Sequence, residues 1–436
     1  RLTMKRLIIL SLLAVAIAGS SQAQQKYVPA AENLKNRAEF QDMKFGVFIH
    51  WGIYSMMADG EWIMNNKNIN WQEYAKLADG FYPSKYDAEK WVADVKAAGA
   101  KYICITSRHH DGFSMFHTRQ SPYNIVDGTP FKRDIIKELA DACHKQGVKL
   151  HFYYSQLDWR RSDYFPIGRT GRGVGRTEQG NWDSYHRFML NQLTELLTNY
   201  GEIGAIWFDG QWDQPADFNW RLREIYDHIH SIQPGCLVIS NHHLAPQEGE
   251  DGQTFEKDLP GHNTTGFSAN AEIGQLPLET CETMNNSWGY NITDLKYKSE
   301  KELIHYLVKA AGNNANLLMN VGPRPDGTFP DIAVQRYKAM GDWLKVYGES
   351  IYGTRGGLVT PRDWGVTTQK ENRLYVHILN YKDKSLYLPT NGKKVKSARV
   401  FLDKKPVKFT QDADGVLLKL DKVPDELDYV VELELK

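Results

Sequence analysis

Hydrolytic chemistry at a carbon centre can be run by two carboxyl groups, one attacking or activating water and one giving and taking a proton. The first candidate is Asp209, which closes the apolar run Gly204-Ala205-Ile206-Trp207-Phe208 and is followed by Gly210. Such a run reads as a parallel strand buried on both faces, with its reactive group at the C-terminal end. An Asp-Gly after a strand also serves as a turn or a helix cap, so Asp209 gains weight only from its company. That company is consistent. His50 follows Phe45-Gly46-Val47-Phe48-Ile49, His109 and His110 follow the strand that opens at Tyr102, and Asn241 and Asn320 close two further apolar runs. The second carboxyl must come from a later segment, where Glu256, Glu279 and Glu282 are the choices. Histidines, tryptophans, tyrosines and a few carboxylates together suit a small polar ring, with aromatic faces on its C–H surfaces and imidazoles on its hydroxyls. Sugars meet that description, and cleaving a glycosidic bond requires two such carboxyl groups.

A metal hydrolase is the competing enzyme class, because histidines also ligate zinc. Neighbouring residues on a strand point to opposite sides, so His109 and His110 would not chelate one ion. The His228-Ile229-His230 pair falls in an expected helix, where residues two apart do not share a face. The chain has no His-Glu-x-x-His and no phosphate-binding loop. No cofactor is expected.

The elements that must hold these residues alternate. Helical spacing or stop signals mark residues 87–98, 132–145, 185–200, 219–232, 301–311 and 334–346, and apolar strands lie between them. Residues 249–265 are polar and glycine-rich and read as a loop; residues 279–284 read as a further short strand. Seven or eight strand–helix units over residues 24–352 predict a (β/α)8-like (TIM-type) barrel with one or two poorly formed strands. Strand ends converge on one face of such a barrel, which places all the residues above around one pocket. From residue 353 to 436 the pattern changes to short strands separated by turn signals, which predicts a C-terminal all-β sandwich. It holds no cluster of reactive residues, so packing is its expected role.

With 436 residues, 42% hydrophobic and 12% aromatic, the chain can bury a barrel-sized core and a smaller one. Lys+Arg and Asp+Glu both number 53, so no global field favours nucleic acid or an anionic membrane. Met4-Lys5-Arg6, an apolar stretch over residues 7–18 and Ser21-Gln22-Ala23 have the order of a secretory signal, cleaved after Ala23. The stretch is too short to span a bilayer, so the expectation is export, secreted or periplasmic, without membrane insertion. The four cysteines, Cys104, Cys143, Cys236 and Cys281, are far apart in sequence and are expected as buried thiols rather than a disulfide framework.

Several ordered motifs then become recognisable: Phe45 to Gly52 (FGVFIHWG), His109 to Phe113 (HHDGF), Trp207-Phe208-Asp209, Ser287 to Tyr290 (SWGY) and Asn316 to Pro323 (NLLMNVGP). Over residues 38–352 the chain resembles glycoside hydrolase family 29, the retaining α-L-fucosidases, among them bacterial exported members. The resemblance implies a double displacement with Asp209 as nucleophile, and an exo-acting enzyme that removes terminal fucose from an oligosaccharide or glycoconjugate. It implies that His50, Glu61, Trp62, His109, His110, Tyr153 and Trp207 contact the sugar, with Trp288 beside its methyl group. For the acid/base the family loop varies; Glu256, before Leu259-Pro260-Gly261, is favoured, with Glu279 and Glu282 as alternatives. Relatives commonly carry an arginine just after the strand that here ends at Asn241. This chain has His242-His243 instead, and His243 is expected to stand in for it. The substitution leaves open a related L-sugar such as L-galactose, and the other-class alternative is a binding relative without turnover. Linkage, aglycone and any oligomer depend on rim loops over residues 160–180 and 244–275.

Overall fold

The computed structural model describes residues 26–269, 271–424 and 426–436. The expected signal, residues 1–23, lies outside the described residues. Eight parallel strands close into a barrel in sequence order: β1 (Phe45–Ile49), β2 (Tyr102–Arg108), β3 (Lys149–Ser155), β4 (Ala205–Asp209), β5 (Leu237–Asn241), β6 (Gly252–Glu256), β7 (Leu278–Thr283) and β8 (Ala315–Val321). β1, β2, β5, β7 and β8 are buried along their whole length, because helices cover the outside and side chains fill the inside. The helices Ala88–Ala97, Ile135–Gln146, Trp182–Thr198, Leu222–Ile232, Glu300–Gly312 and Asp331–Tyr347 occupy the expected stretches within a few residues. Their starts are set by side-chain caps: Asp87, Asp134, Asn181 and Ser299 each accept from backbone N–H groups of the first turn.

The structure corrects the loop expected at residues 249–265. Gly252–Glu256 is strand β6, although its sequence Gly-Gln-Thr-Phe-Glu has little apolar content. It is held by its neighbours, pairing through Gln253 with Leu278 and through Glu256 with Cys281, so sheet closure overrides weak local propensity. Among the described residues no helix lies between β5 and β6 or between β6 and β7, and both connections run as loops there.

A helix that the sequence pattern did not single out, Ala31–Met43, closes the N-terminal end of the barrel. Its Phe40 packs edge-on to Tyr102 at 5.5 Å, and the Phe40 carbonyl accepts from the Asn316 side chain at 2.7 Å. Phe48, Cys104, Tyr153, Trp207, Ile239 and Leu318 continue that interior core upward. The barrel is therefore filled below and open only at the C-terminal ends of its strands.

Beyond the barrel, β9 (Gly365–Lys370), β10 (Arg373–Ile378), β12 (Val395–Val400) and β15 (Tyr429–Leu435) form one antiparallel sheet, in the order β12-β15-β10-β9. β11 (Ser385–Pro389), β14 (Gly415–Lys419) and β13 (Lys408–Gln411) form the second. Their inner faces meet in a core of Leu374, Val376, Leu388, Val416, Leu418 and Val431. The sandwich is fastened to the barrel where Thr368 donates to the Ser350 carbonyl at 2.6 Å and Phe401 stacks on Tyr347. All four cysteines are buried and free, and among the described residues no helix is long and apolar enough to cross a membrane.

Candidate active site

Strand register assembles the centre of the site. Ser155, Asp209 and Asn241 are paired across β3, β4 and β5, so they stand side by side at the rim. Gly210, with φ of 105°, then turns the chain away from the strand, a conformation that a side chain would strain. The turn brings Trp212 back over the carboxylate it follows. Asp209 accepts from the Tyr153 hydroxyl at 2.9 Å on Oδ2, and from Trp212 Nε1 at 2.9 Å on Oδ1. Its two oxygens are thus fixed in plane.

Glu256, at the end of β6, comes to the same point. Asn241 Nδ2 lies 2.9 Å from Glu256 Oε2 and 3.4 Å from Asp209 Oδ1, so one amide spans both carboxyls. Those two oxygens can be no further apart than the two contacts laid end to end. Carboxyls joined through one amide are close neighbours, an arrangement that suits the short separation of retaining glycosidases. His243 Nε2 lies 3.0 Å from the same Glu256 oxygen. Both His243 (φ 63°) and Lys257 (φ 55°) have left-handed backbone, at about 1–2 kcal/mol each for residues with a Cβ. The chain is bent there on either side of Glu256, which re-aims the two side chains.

Asp209 is pushed up to about 6, by burial first and by the negative charge of Glu256 second. Burial acts to raise Glu256 as well. The bonds from His243 and Asn241 and the charge of Lys257 outweigh it, and this carboxyl sits below its ordinary range. The two groups titrate as a pair whose last proton leaves near pH 6.

The cavity above the pair has a volume of about 530 Å³. Of the residues that the sequence placed here, His50, Glu61, Trp62, His109, Tyr153, Trp207, His243 and Trp288 line it with Asp209 and Glu256. Tyr153 lies flat between His109 (centroids 5.1 Å apart) and Trp207 (5.6 Å). His50 Nδ1 is 2.7 Å from Asn320 Oδ1, and the same amide donates to the Trp288 carbonyl at 2.7 Å. Asn320 must therefore present its oxygen to His50, which puts the imidazole proton on Nδ1 and leaves Nε2 as an acceptor. Burial pulls His50 down to about 4, so the ring is neutral in ordinary buffers. Glu61 accepts from the Gly289 N–H at 2.7 Å; burial raises its carboxyl. A Cβ at residue 289 would press on the Glu61 backbone nitrogen at 2.9 Å, so the contact depends on glycine.

His110 stands behind Asp209, with Nε2 3.5 Å from Oδ2. The expectation that adjacent histidines diverge is corrected: β2 ends at Arg108, strand alternation ends with it, and the two rings lie 4.1 Å apart. Among the described residues no three His, Cys, Asp or Glu side chains group as a metal site. His230 instead bonds Asp251 at 2.7 Å, and His242 turns away from the cavity to Glu250 at 2.8 Å.

The alternatives for the second carboxyl are placed elsewhere. Glu279 points inward from β7 but two residues below the rim, where it accepts from Tyr102 at 2.6 Å and from Trp207 Nε1 at 2.8 Å. Glu282 has the opposite parity on β7; it bonds the Thr283 N–H at 2.7 Å and pairs with Lys298 at 3.4 Å. Neither lines the cavity. Sequence reasoning set Asn241 at the pocket without a role and singled out neither Trp212 nor Ser155. Asn241 and Ser155 carried a usable signal, a polar residue closing an apolar strand; Trp212, three residues after Asp209, carried none.

A family model described as Alpha-L-fucosidase matches residues 14–349. The plasma alpha-L-fucosidase of Rattus norvegicus is 31% identical over 418 residues, covering 86% of this chain and 85% of that protein. Among solved structures, alpha-L-fucosidase isoenzyme 1 from Paenibacillus thiaminolyticus superposes with a TM-score of 0.82 at 33% identity, over 93% of this chain and 100% of that one. A GH29 alpha-L-fucosidase from Bacteroides thetaiotaomicron, trapped as a covalent intermediate with 2-fluoro-fucosyl fluoride, has a TM-score of 0.81 at 26% identity, over 94% and 98%.

Proposed function

The chain belongs to the α-L-fucosidase family, and from that membership and the close pairing of Asp209 with Glu256 we infer that it is a retaining exo-α-L-fucosidase, acting by double displacement. The observation that carries the stereochemistry is the single Asn241 amide spanning both carboxyls. Such close carboxyls suit direct attack by one of them rather than activation of a water held between them.

Asp209 is the nucleophile. Its oxygen attacks the anomeric carbon as the glycosidic C–O bond breaks, and Glu256 delivers its proton to the departing oxygen. In the second step Glu256, now ionised, takes a proton from water. The water oxygen attacks the anomeric carbon and the Asp209 ester bond breaks, returning fucose of the starting configuration. Bonds from Tyr153 and Trp212 hold the Asp209 carboxylate on line. In the empty site the pair's last proton rests on Asp209, the raised carboxyl; the working form has that proton on Glu256 and Asp209 ionised. His50 Nε2, Glu61 and His109 serve as acceptors for sugar hydroxyls, and Trp288 flanks the methyl group. His243 takes the place commonly held by an arginine and bonds the acid/base instead of leaving it free.

We further propose that the protein is exported, after cleavage following Ala23; the basic, apolar and small-residue order of residues 4–23 supports this, and N-terminal sequencing of protein recovered outside the cytoplasm tests it. The activity is tested with 4-nitrophenyl α-L-fucoside, following the anomer first formed by proton NMR. Release of α-L-fucose first supports the reading. Release of the β anomer, or turnover of the α-L-galactoside with none of the fucoside, would overturn it.

A further inference from the structure

The connection from β3 to the helix Trp182–Thr198 borders a second cavity, of about 740 Å³, that shares no lining residue with the one above Asp209. Trp71 is its one aromatic wall, and three arginines reach it: Arg160, Arg161 and Arg176. Arg161 is paired within the protein. Asp163 accepts from its Nε at 2.8 Å and from its Nη2 at 2.6 Å, and Ser184 Oγ donates to the same carboxylate at 2.9 Å. Arg160 and Arg176, both half-buried, have no such partner among the described residues. The Arg160 guanidinium lies over the Tyr123 ring at 4.3 Å and the Trp71 ring at 5.2 Å. Arg176 uses Nη1 alone, donating to the carbonyls of Arg161 at 2.6 Å and Tyr164 at 2.9 Å. Arg160 Nε and Arg176 Nε and Nη2 are buried donors without a protein acceptor. Burial pulls the Arg176 guanidinium below its ordinary range. In Arg161 burial acts the same way, but the Asp163 bond and the Asp158 charge outweigh it and the guanidinium is raised.

We propose that this cavity is an oxyanion-binding site, in which Arg160 and Arg176 hold a sulfate, phosphate or carboxylate group, free or borne by a sugar. The inference goes beyond the fucosidase reading and does not depend on it. A buried donor without an acceptor costs free energy, and an oxyanion supplies both the missing acceptors and the missing charge. Arginine suits the task better than lysine, because its planar fork matches such a group and is more weakly hydrated. Ser162, Thr177 and Asn181 add hydroxyl and amide groups to the wall, and Trp71 offers a flat surface of the kind a pyranose C–H face takes. The volume exceeds that of a bare ion and admits the sugar that bears it. One lining carboxylate opposes the anion: Glu178 is exposed and has no ion pair among the described residues. The balance stays positive, because Asp163 is engaged by Arg161 and Ser184 while two guanidiniums are not.

The test is isothermal titration calorimetry of the whole protein at constant ionic strength, with sodium sulfate, glucose 6-sulfate and glucose as probes. Sulfate and glucose 6-sulfate should each bind at one site per chain, and glucose should not. Tighter binding of glucose 6-sulfate assigns the site to a sugar-borne group, whereas equal affinity assigns it to the free ion. Arg160→Met and Arg176→Met should each weaken binding by about tenfold or more, the loss of a charge-assisted bond. Glu178→Gln, at an exposed position, should strengthen it by about twofold, and it keeps the test standing where loss of Arg176 loosens the loop. Binding of neither anion, or affinities unchanged in Arg160→Met and Glu178→Gln, overturns the proposal.

Discussion

The Ser155 hydroxyl decides which nitrogen of His110 faces Asp209. Ser155 Oγ lies 2.7 Å from the Leu157 carbonyl and 2.7 Å from His110 Nδ1. A carbonyl can only accept, so the single hydroxyl proton goes to Leu157 and the hydroxyl oxygen accepts from Nδ1–H. His110 Nε2 is left as a lone pair 3.5 Å from Asp209 Oδ2, two acceptors facing each other. Burial holds the His110 imidazole well below its ordinary range, so it does not resolve the conflict by protonating. The proton must come from the substrate, as a hydroxyl beside the anomeric carbon, or sit on Asp209.

Ser155→Ala should free the imidazole to place its proton on Nε2 and donate to Asp209. A donated bond favours the ionised carboxylate, so the pair's last proton should leave at a lower pH, and the alkaline limb of kcat/KM should move down by about half a unit or more. Ser155→Thr should restore it. A profile unmoved in Ser155→Ala would show that the hydroxyl does not set the tautomer.

Activity should fall as pH rises through about 6. The working pair holds one proton, its last proton is lost near that value, and the doubly ionised pair has no acid for the leaving group. Below the ordinary carboxylate range a second proton silences Asp209, giving a bell. A rate that climbs from pH 6 to 8 would reverse the assignment.

Asp209→Gly should lower turnover by about 10⁴-fold or more with the fold retained, since the covalent path is gone. Added azide should rescue it as the β-L-fucosyl azide, whereas Glu256→Gly with azide should give the α anomer. The same anomer from both variants would show that the roles are misassigned. Glu279→Gln should give no azide adduct.

Glu279 should show instead in stability. Burial raises its carboxyl to about 7, against bonds from Tyr102 and Trp207 that act to lower it. A carboxyl raised on folding contributes its stability in full below its unfolded value; that contribution is lost as pH rises to the folded one. The loss, between about pH 4.5 and 7, amounts to about 3 kcal/mol. Glu279→Gln should flatten this slope in urea unfolding at pH 5 and pH 8. An unchanged slope would place the ionisation elsewhere.

Some of this was fixed by local sequence alone. Apolar runs such as Phe45–Ile49 and Ala205–Asp209 must be buried strands because water excludes them, and a polar residue closing each run must stand at its rim. That yields the barrel, Asp209, and the histidines His50, His109 and His110 at neighbouring strand ends, while the tryptophans came from the family resemblance. Where the three glutamates stand was for tertiary structure alone to decide, because it depends on depth and parity around a closed sheet. Glu256 reaches the rim on a strand whose own residues barely favour one, while Glu279 is held two residues deeper and Glu282 faces outward. The same holds for Asn241, Ser155 and Trp212. Their partners are set by strand register and by the turn at Gly210, relations between segments that no local pattern contains.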